Sequence, residues 1–302
     1  MPEGLEEAFY EFIKRVATGI PADVYKALKD AYEDETEPAA KAQLKAILEN
    51  VEVACKGTRP ICQDTGTPYL WIEWGESSPY KPSEIIGAFT NALRRVTKEG
   101  LLRPNAVDPL RQRNSGDNTG RHIPWVHLEP VEGDRVTVHF MSKGGGSEAP
   151  STLIMSTPLK GFENLYRGVV EAIARAGPLP CPPVIVGVAI GAGADIVMSL
   201  AKKALLRPIG ERHPDPEAAR IEEELLEAIN KLGLGPHGFG GKYTALDVKF
   251  EYAHRHPATF AIGIVTSCWA TRRGTIVVEA DGSWRITSKH LVPDGDGGCT
   301  IA

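Results

Sequence analysis

The chain has 302 residues, of which 42% are hydrophobic and 24% charged, and its net charge is −5. That balance is ordinary for a globular protein, and the length suits one large domain or two smaller ones. A general basic footprint for nucleic acid is excluded, and no apolar run approaches the ~20 residues of a membrane span.

The opening "MPEGLEEAFYEF" is acidic and amphipathic, unlike a secretory signal or an Arg-rich transit peptide, so a cytoplasmic location is expected. Leu5, Phe9, Phe12 and Val16 recur at helical spacing and predict the first helix. "IPADVYKALKDAYEDE" predicts a second, with Asp23 near its start. "PAAKAQLKAILENVEVACK" predicts a third, with Leu44, Ile47, Leu48, Val51 and Cys55 on one face, so Cys55 is expected as a packed core residue. Periodicity is lost from Lys56 to Leu70. "KPSEIIGAFTNALRRV" restores a helix, with Ser83 placed as its cap and Ile85, Ile86, Phe89, Leu93 and Val96 inward. The stretch "LLRPNAVDPLRQRNSGDNTGRH" predicts a long loop, of a length that is usually functional or disordered.

"DRVTVHFM" alternates as a strand does, and "SKGGGSEAPS" interrupts it. "CPPVIVGVAIGAGADIVMSLAKKALL" predicts a buried strand, a Gly-rich turn and a helix. "DPEAARIEEELLEAINKLG" predicts a helix capped by Asp215, with Pro216 in its first turn and Gly233 stopping it. "ALDVKFEYA" alternates Leu246, Val248, Phe250 and Tyr252 against Asp247, Lys249 and Glu251, a half-buried strand. "TFAIGIVTSC" and "GTIVVEADGSWRI" supply further strands, the second with an Asp-Gly hairpin signal. Without a strict βαβ rhythm, internal repeat or low-complexity linker, the expectation is an α+β fold. It is a single mixed domain over residues 1–302, with a helical N-terminal layer over about 1–56.

Five cysteines stand at positions 55, 62, 181, 268 and 299. An odd count at long gaps, with no C-x-x-C, argues against a disulfide framework, a zinc ribbon or a thioredoxin motif. Reduced thiols leave core packing, nucleophile or metal ligand. Cys62, Cys181 and Cys268 each lie at an element boundary beside a loop signal: "ICQDTG", "LPCPPV" and "TSCWATRR". An isolated Cys is more often a small core residue, but three thiolates without a fourth would leave one iron of a cluster open to substrate. "GVAIGAGAD" lacks the full G-x-G-x-x-G, so tight strand-to-helix packing is favoured there over nucleotide binding. "KGGGSE" reads either as a backbone nest for an anion or as a flexible turn. His254 and His256, at the end of a predicted strand, face one side if that strand is regular; ligand, acid–base and surface roles stay open. Arg103, Arg111, Arg113 and Arg121 punctuate the long loop, where one could clamp a carboxylate and most would be solvated.

Taken in order, "ICQDTGTP", "LRPNAVDPL...NSGDNTG", "SKGGGSE", "CPPVIVGVAIGAGAD" and "HRHPATFAIGIVTSCWATRR" resemble the alpha subunit, or N-terminal half, of the class I iron–sulfur hydro-lyases. These are the fumarate hydratases and the similar L-tartrate dehydratases, and the resemblance spans nearly the whole chain. It implies that β-sheets carry the loops of a 4Fe-4S cluster held by Cys62, Cys181 and Cys268. It implies Asp64 as an active-site acid, Gln63, Arg103 and Gly145 as substrate-binding groups, and His256 as an active-site histidine with His254 a weaker candidate. It further implies reversible hydration of fumarate to L-malate, with L-tartrate dehydration the alternative. The family's C-terminal half, with its further Arg and Lys residues, is not in this chain. A separate beta subunit is therefore expected to complete the site, in an alpha2-beta2 type assembly. Two readings without that chemistry are a Cys62–His256 nucleophilic enzyme and a non-catalytic zinc protein.

Overall fold

The computed structural model describes residues 4–302; the first three residues of the amphipathic opening lie outside the described residues. In chain order the helices are α1 (Leu5–Thr18), α2 (Ala22–Asp34), α3 (Pro38–Lys56), α4 (Pro82–Lys98), the one-turn α5 (Gly145–Glu148), α6 (Gly161–Ala176), α7 (Ala194–Ala204) and α8 (Pro216–Asn230). The longer strands are β1 (Thr67–Gly75), β4 (Trp125–Val131), β5 (Val136–Lys143), β6 (Thr152–Ser156), β7 (Val184–Ile190), β8 (Ala245–Tyr252), β9 (Phe260–Ser267) and β10 (Arg273–Val278). Short strands β2 (Val107–Asp108), β3 (Arg113–Asn114), β11 (Trp284–Ile286), β12 (Leu291–Pro293) and β13 (Cys299–Ile301) fill the remaining places. The α+β class is as the sequence predicts. The chain forms two compact units: one takes the segments ending at Ala22, Asn50–Gly144 and Ala270–Ala302, the other Asp23–Glu49 and Gly145–Trp269.

In the first unit five strands run in the order β11-β10-β5-β1-β4. β1 pairs antiparallel with β5 from Thr67↔Lys143 to Trp74↔Val136, and parallel with β4. Alternate residues Leu70 and Ile72, Val136, Val138 and Phe140, and Ile276 and Val278 point to one face, as a two-residue side-chain period requires. The apolar stripes of α1 and α4 join them in one core, where Phe9, Phe12, Phe89 and Phe140 meet edge to face at 5.3–6.0 Å. Ser83 does not cap α4. Pro82 takes the first helical position, where no N–H is needed, and Glu84 reaches back to the Lys81 N–H at 2.8 Å.

Cys55 does not remain a thiol. It forms a disulfide with Cys299, 244 residues away, with the Cα atoms 6.4 Å apart. The expectation of five reduced cysteines fails because this pairing joins the end of α3 to the C-terminal hairpin, a contact that no local pattern records. Nearby, His290 is wholly buried, with Nε2 2.9 Å from the Arg273 carbonyl and Nδ1 3.1 Å from that of Ser288.

In the second unit four strands run β6-β9-β7-β8. β7 is buried along nearly its whole length, as its continuous apolar run predicts. Val184, Val186 and Val188 face a core shared with α6 and α8. On the opposite face, a side chain at Gly187 would lie 2.0 Å from the Ala201 carbonyl, and one at Gly263 2.7 Å from that of Val197. α7 therefore rests directly on the sheet backbone, which only glycine permits at those positions. β8 departs from expectation. Asp247 and Lys249 are buried, not solvated, and pair at 2.8 Å. The segment following α7 covers them: Gly210 N–H and Arg212 bind Asp247 at 2.8 and 2.6 Å, and Lys249 donates to the Glu211 carbonyl at 2.7 Å. Arg207 adds a 2.7 Å pair to the fully buried Glu222. Alternation identified the strand correctly; it could not show that both its faces are covered.

Two outcomes follow from these contacts. Reduction of the disulfide, or Cys299→Ser, is expected to lower the melting temperature, with a loss on the order of 2–5 kcal/mol because the link closes a very long loop. Coincident melting curves with and without reductant would show that it contributes nothing. Burial pushes the His290 pKa down to about 4, against the two carbonyls that favour its charged form. The unfolded chain takes up this proton near pH ~6.5, so the stabilisation is complete above that pH and is lost as pH falls toward about 4, by about 3 kcal/mol. Denaturant melts at about pH 7 and about pH 5 should show this slope, and His290→Asn should flatten it. An unchanged slope in the variant would assign the acid sensitivity to other groups.

Candidate active site

The chain leaves α3 and turns through Thr58, at φ 47°, into the loop that carries Cys62, Gln63 and Asp64. Asn50 donates its side-chain amide to the Ile61 carbonyl at 2.9 Å, tying the loop back to α3. Gly66 sits at φ 83°, and a Cβ there would lie 2.7 Å from the backbone of Ser142 and Lys143. Glycine is required on both counts, and it sets the loop against the end of β5. Asp64 Oδ1 accepts from Gly66 N–H at 3.0 Å and from the Asn105 amide at 3.5 Å, which fixes the carboxylate's orientation. Buried Thr65 Oγ1 accepts from Arg103 N–H at 2.8 Å, and the Thr65 carbonyl accepts from Ser142 Oγ. The exposed Arg103 guanidinium reaches the Gln63 carbonyl at 3.4 Å, and Cys62 Sγ lies 3.5 Å from Gln63 Oε1. Four expected site residues, Cys62, Gln63, Asp64 and Arg103, are thus gathered in the first unit.

Two groups there were missed by sequence reasoning. Asn105, within "LRPN", holds Gly66 O at 3.0 Å and Thr65 Oγ1 at 3.3 Å besides Asp64. Arg272 follows Cys268 by four residues and is only 2% exposed. Its Nη1 donates to the Ala270 carbonyl at 2.9 Å, while its buried Nε has no partner. The signal was the second half of "TSCWATRR": a charged pair inside an otherwise buried run.

In the second unit "KGGGSE" folds into a turn of helix. Gly145 opens the one-turn α5, and the Ser147 carbonyl accepts from Thr266 Oγ1 of β9 at 2.9 Å. A side chain at Gly146 would stand 3.2 Å from the Leu179 carbonyl, beside the turn that presents Cys181. Cys181 is exposed and holds φ 53°, a left-handed conformation that few non-glycine residues adopt. Three hydrogen bonds hold this arrangement. Cys181 N–H donates to the Pro178 carbonyl at 3.0 Å, Trp269 N–H to the Cys181 carbonyl at 3.4 Å, and His237 N–H to the Pro182 carbonyl at 2.8 Å. His237, itself at φ 51°, accepts at Nε2 from Trp269 Nε1 at 2.9 Å. Burial lowers its pKa, in keeping with a neutral acceptor ring. Gly145, Cys181 and Cys268 are accordingly brought near one another at the ends of β9 and the Cys181 turn.

His254 and His256 lie beyond the end of β8 at Tyr252, on a loop, so strand alternation does not govern them. Arg255 braces that loop through the carbonyls of His256, Pro257 and Thr259 at 3.0–3.2 Å. His256 is exposed, with Nδ1 accepting from Ala258 N–H at 3.1 Å. His254 instead lines a cavity of about 400 Å³ with Ile190, Gly191, Tyr252 and Phe260.

Among the described residues no three His, Cys, Asp or Glu side chains are grouped to hold a single metal ion. Cys62, Cys181 and Cys268 remain thiols in loops, and none is fully buried. As a donor set, three thiols fit a multinuclear iron–sulfur group, whose ligands bind different irons and need not share one ion's sphere. The His237–Trp269 bond gives a direct test of what supports the Cys181 turn. His237→Phe should destabilise the chain by about 1–3 kcal/mol, the cost of an orphaned indole N–H, and His237→Gln should lose less by restoring an acceptor. Equal losses in thermal melts would remove the acceptor role.

The fumarate hydratase (Fumerase) family model matches residues 6–277. A Methanocaldococcus jannaschii protein, provisionally named as an L(+)-tartrate dehydratase subunit alpha, is 42% identical over 280 residues, covering 92% of this chain and 98% of its own length. The L(+)-tartrate dehydratase subunit alpha of Escherichia coli O157:H7 is 37% identical over 278 residues, covering 92% of this chain and 91% of that protein. Its counterpart in E. coli strain K12 is 36% identical over the same length. With a family model spanning most of its residues and relatives of this similarity along nearly their full lengths, the chain belongs to the fumarate hydratase (Fumerase) family.

Proposed function

We propose that this chain is the alpha subunit of a two-subunit class I hydro-lyase that interconverts fumarate and L-malate. The observation that carries the reading is the Cys62–Gln63–Asp64 loop with Arg103 hung on it, in a chain of this family. In this reading Cys62, Cys181 and Cys268 are the thiolate ligands of a 4Fe-4S cluster. When bound, that cluster supplies a Lewis acid that assists departure of hydroxide.

The remaining work falls to side chains. Elimination of water removes a barely acidic proton from the carbon beside a carboxylate, so the developing charge needs fixed cationic and N–H donors. Arg103, exposed and held by a single side-chain bond to the Gln63 carbonyl, offers a fork to one carboxylate. Gly145 N–H and Gln63 serve as further polar contacts. Asp64, oriented by Gly66 and Asn105, acts as the active-site acid, and exposed His256 as a second acid–base group. A beta chain supplies the remaining cations for the second carboxylate, in an alpha2-beta2 type assembly working in the cytoplasm. No helix among the described residues is long and apolar enough to cross a membrane.

A second reading is L(+)-tartrate dehydration, favoured by the names of the relatives. The two substrates differ by one hydroxyl. Anaerobic assay of the complex with its beta chain should show fumarate hydration exceeding tartrate dehydration, and the reverse order would move the assignment to tartrate. Asp64→Asn should lower turnover of that complex by about 10²–10⁴-fold without changing its iron content. An active Asp64→Asn complex would remove Asp64 from the chemistry. Cys62→Ser, Cys181→Ser and Cys268→Ser should each lose iron while Cys55→Ser and Cys299→Ser keep it, and equal loading in all five would overturn the ligand assignment.

A further inference from the structure

We infer that Arg272 binds a carboxylate of the substrate beside Asp64. The inference rests on the hydro-lyase reading above and adds a binding residue to it.

Several of this protein's buried charges sit in close ion pairs. Glu222 has Arg207 at 2.7 Å, and Lys249 has Asp247 at 2.8 Å. Arg272 is held differently. It is 2% exposed, and no carboxylate among the described residues forms an ion pair with it. Its backbone is fixed, since the Arg272 carbonyl accepts from Ser142 N–H at 2.9 Å and the next residue, Arg273, is in register with Met141. Within the guanidinium, Nη1 is occupied by the Ala270 carbonyl at 2.9 Å. Nε has no partner, and Nη2 makes no hydrogen bond to a described residue. Nε and Nη2 form one edge of the guanidinium, and two parallel N–H groups on one edge match the two oxygens of a carboxylate.

The position of that edge is marked by Gly144. A Cβ built there would lie 3.5 Å from Arg272 Nη2 and 3.0 Å from Asp64 Oδ2, the two side chains nearest to it. Gly144 does not hold a positive φ, so its backbone would accept an alanine. What glycine provides is close approach of Asp64 and of the Arg272 edge to the backbone, since a Cβ 3.0 Å from Oδ2 would crowd the carboxylate. A cation left buried without a counter-ion is strongly unfavourable, and an anionic ligand relieves it. A substrate carboxylate on the Nε–Nη2 edge would hold the adjoining carbon toward Asp64, and the cation would stabilise charge delocalised into that carboxylate during proton removal.

The test uses the anaerobic complex with its beta chain, with fumarate, L-malate and L(+)-tartrate as substrates and succinate as the dicarboxylate probe. Arg272→Gln should raise KM and the succinate Kd by about 10–100-fold while iron per chain stays at the wild-type value. Arg272→Lys should fall between, and added guanidinium ion should partly restore Arg272→Gln. Gly144→Ala, which crowds Asp64 Oδ2 and the Arg272 edge without changing charge, should also raise KM. Wild-type KM and succinate Kd in both Arg272 variants would overturn the inference. So would a loss of iron in step with activity and unaltered affinity in the loaded fraction, which would place Arg272 in cluster retention. If the Arg272 variants do not fold, Gly144→Ala decides: a wild-type KM there overturns the inference. A wild-type complex with no iron and no turnover of any of these substrates would instead sink the hydro-lyase reading itself.

Discussion

The approach of the Gly66 loop to the end of β5 is the contact on which the first unit's candidate site depends. At φ 83°, with Ser142 and Lys143 within 2.7 Å of where a side chain would begin, only glycine fits. That single turn brings the Asp64 carboxylate onto the Gly66 N–H, buries Thr65 and lets Thr65 hold Arg103 from a distant segment. Cys62 and Gln63 ride on the same turn. A side chain at Gly66 would push the loop off β5, and the cysteine, the acid and the arginine would lose their common frame together.

The second unit uses a different device for a similar end. Left-handed backbone at Cys181 and His237 is held by backbone hydrogen bonds, and the Trp269 indole closes the arrangement on His237. Conformations of this kind persist only where surrounding contacts over-determine them, and they concentrate where a side chain must be aimed. The buried ion pairs beneath β8 differ in kind. They are fully hydrogen-bonded and pin the segment after α7 to the sheet. Removing one partner there would leave an uncompensated charge, and Arg272 is itself buried with its Nε unpartnered.

What was legible in the sequence follows from the range of each signal. Helices α1, α3 and α8 and strands β5, β7 and β9 were readable because their apolar spacing is local. The cap of α4 was misplaced by two residues because Pro82 and Glu84 outweigh Ser83. The polar side of β8 read as solvated because alternation records one covered face and cannot show a loop lying over the other. Cys55 is buried as read, but its disulfide was not legible because its sulfur partner lies 244 residues on. The site residues were readable only through the ordered motifs of the family. Asn105 and Arg272 make their contacts only in three dimensions, and only the oddity of a charged pair in a buried run hinted at the second.

The claim that most of this account serves is that three thiols in separate loops belong to an iron–sulfur group. It is tested most directly by the iron and sulfide content and the colour of the chain purified without air. Brown protein with about four irons per chain, lost on exposure to oxygen, is the expected result. Colourless protein without iron, or with one equivalent of zinc and no change in air, would contradict it.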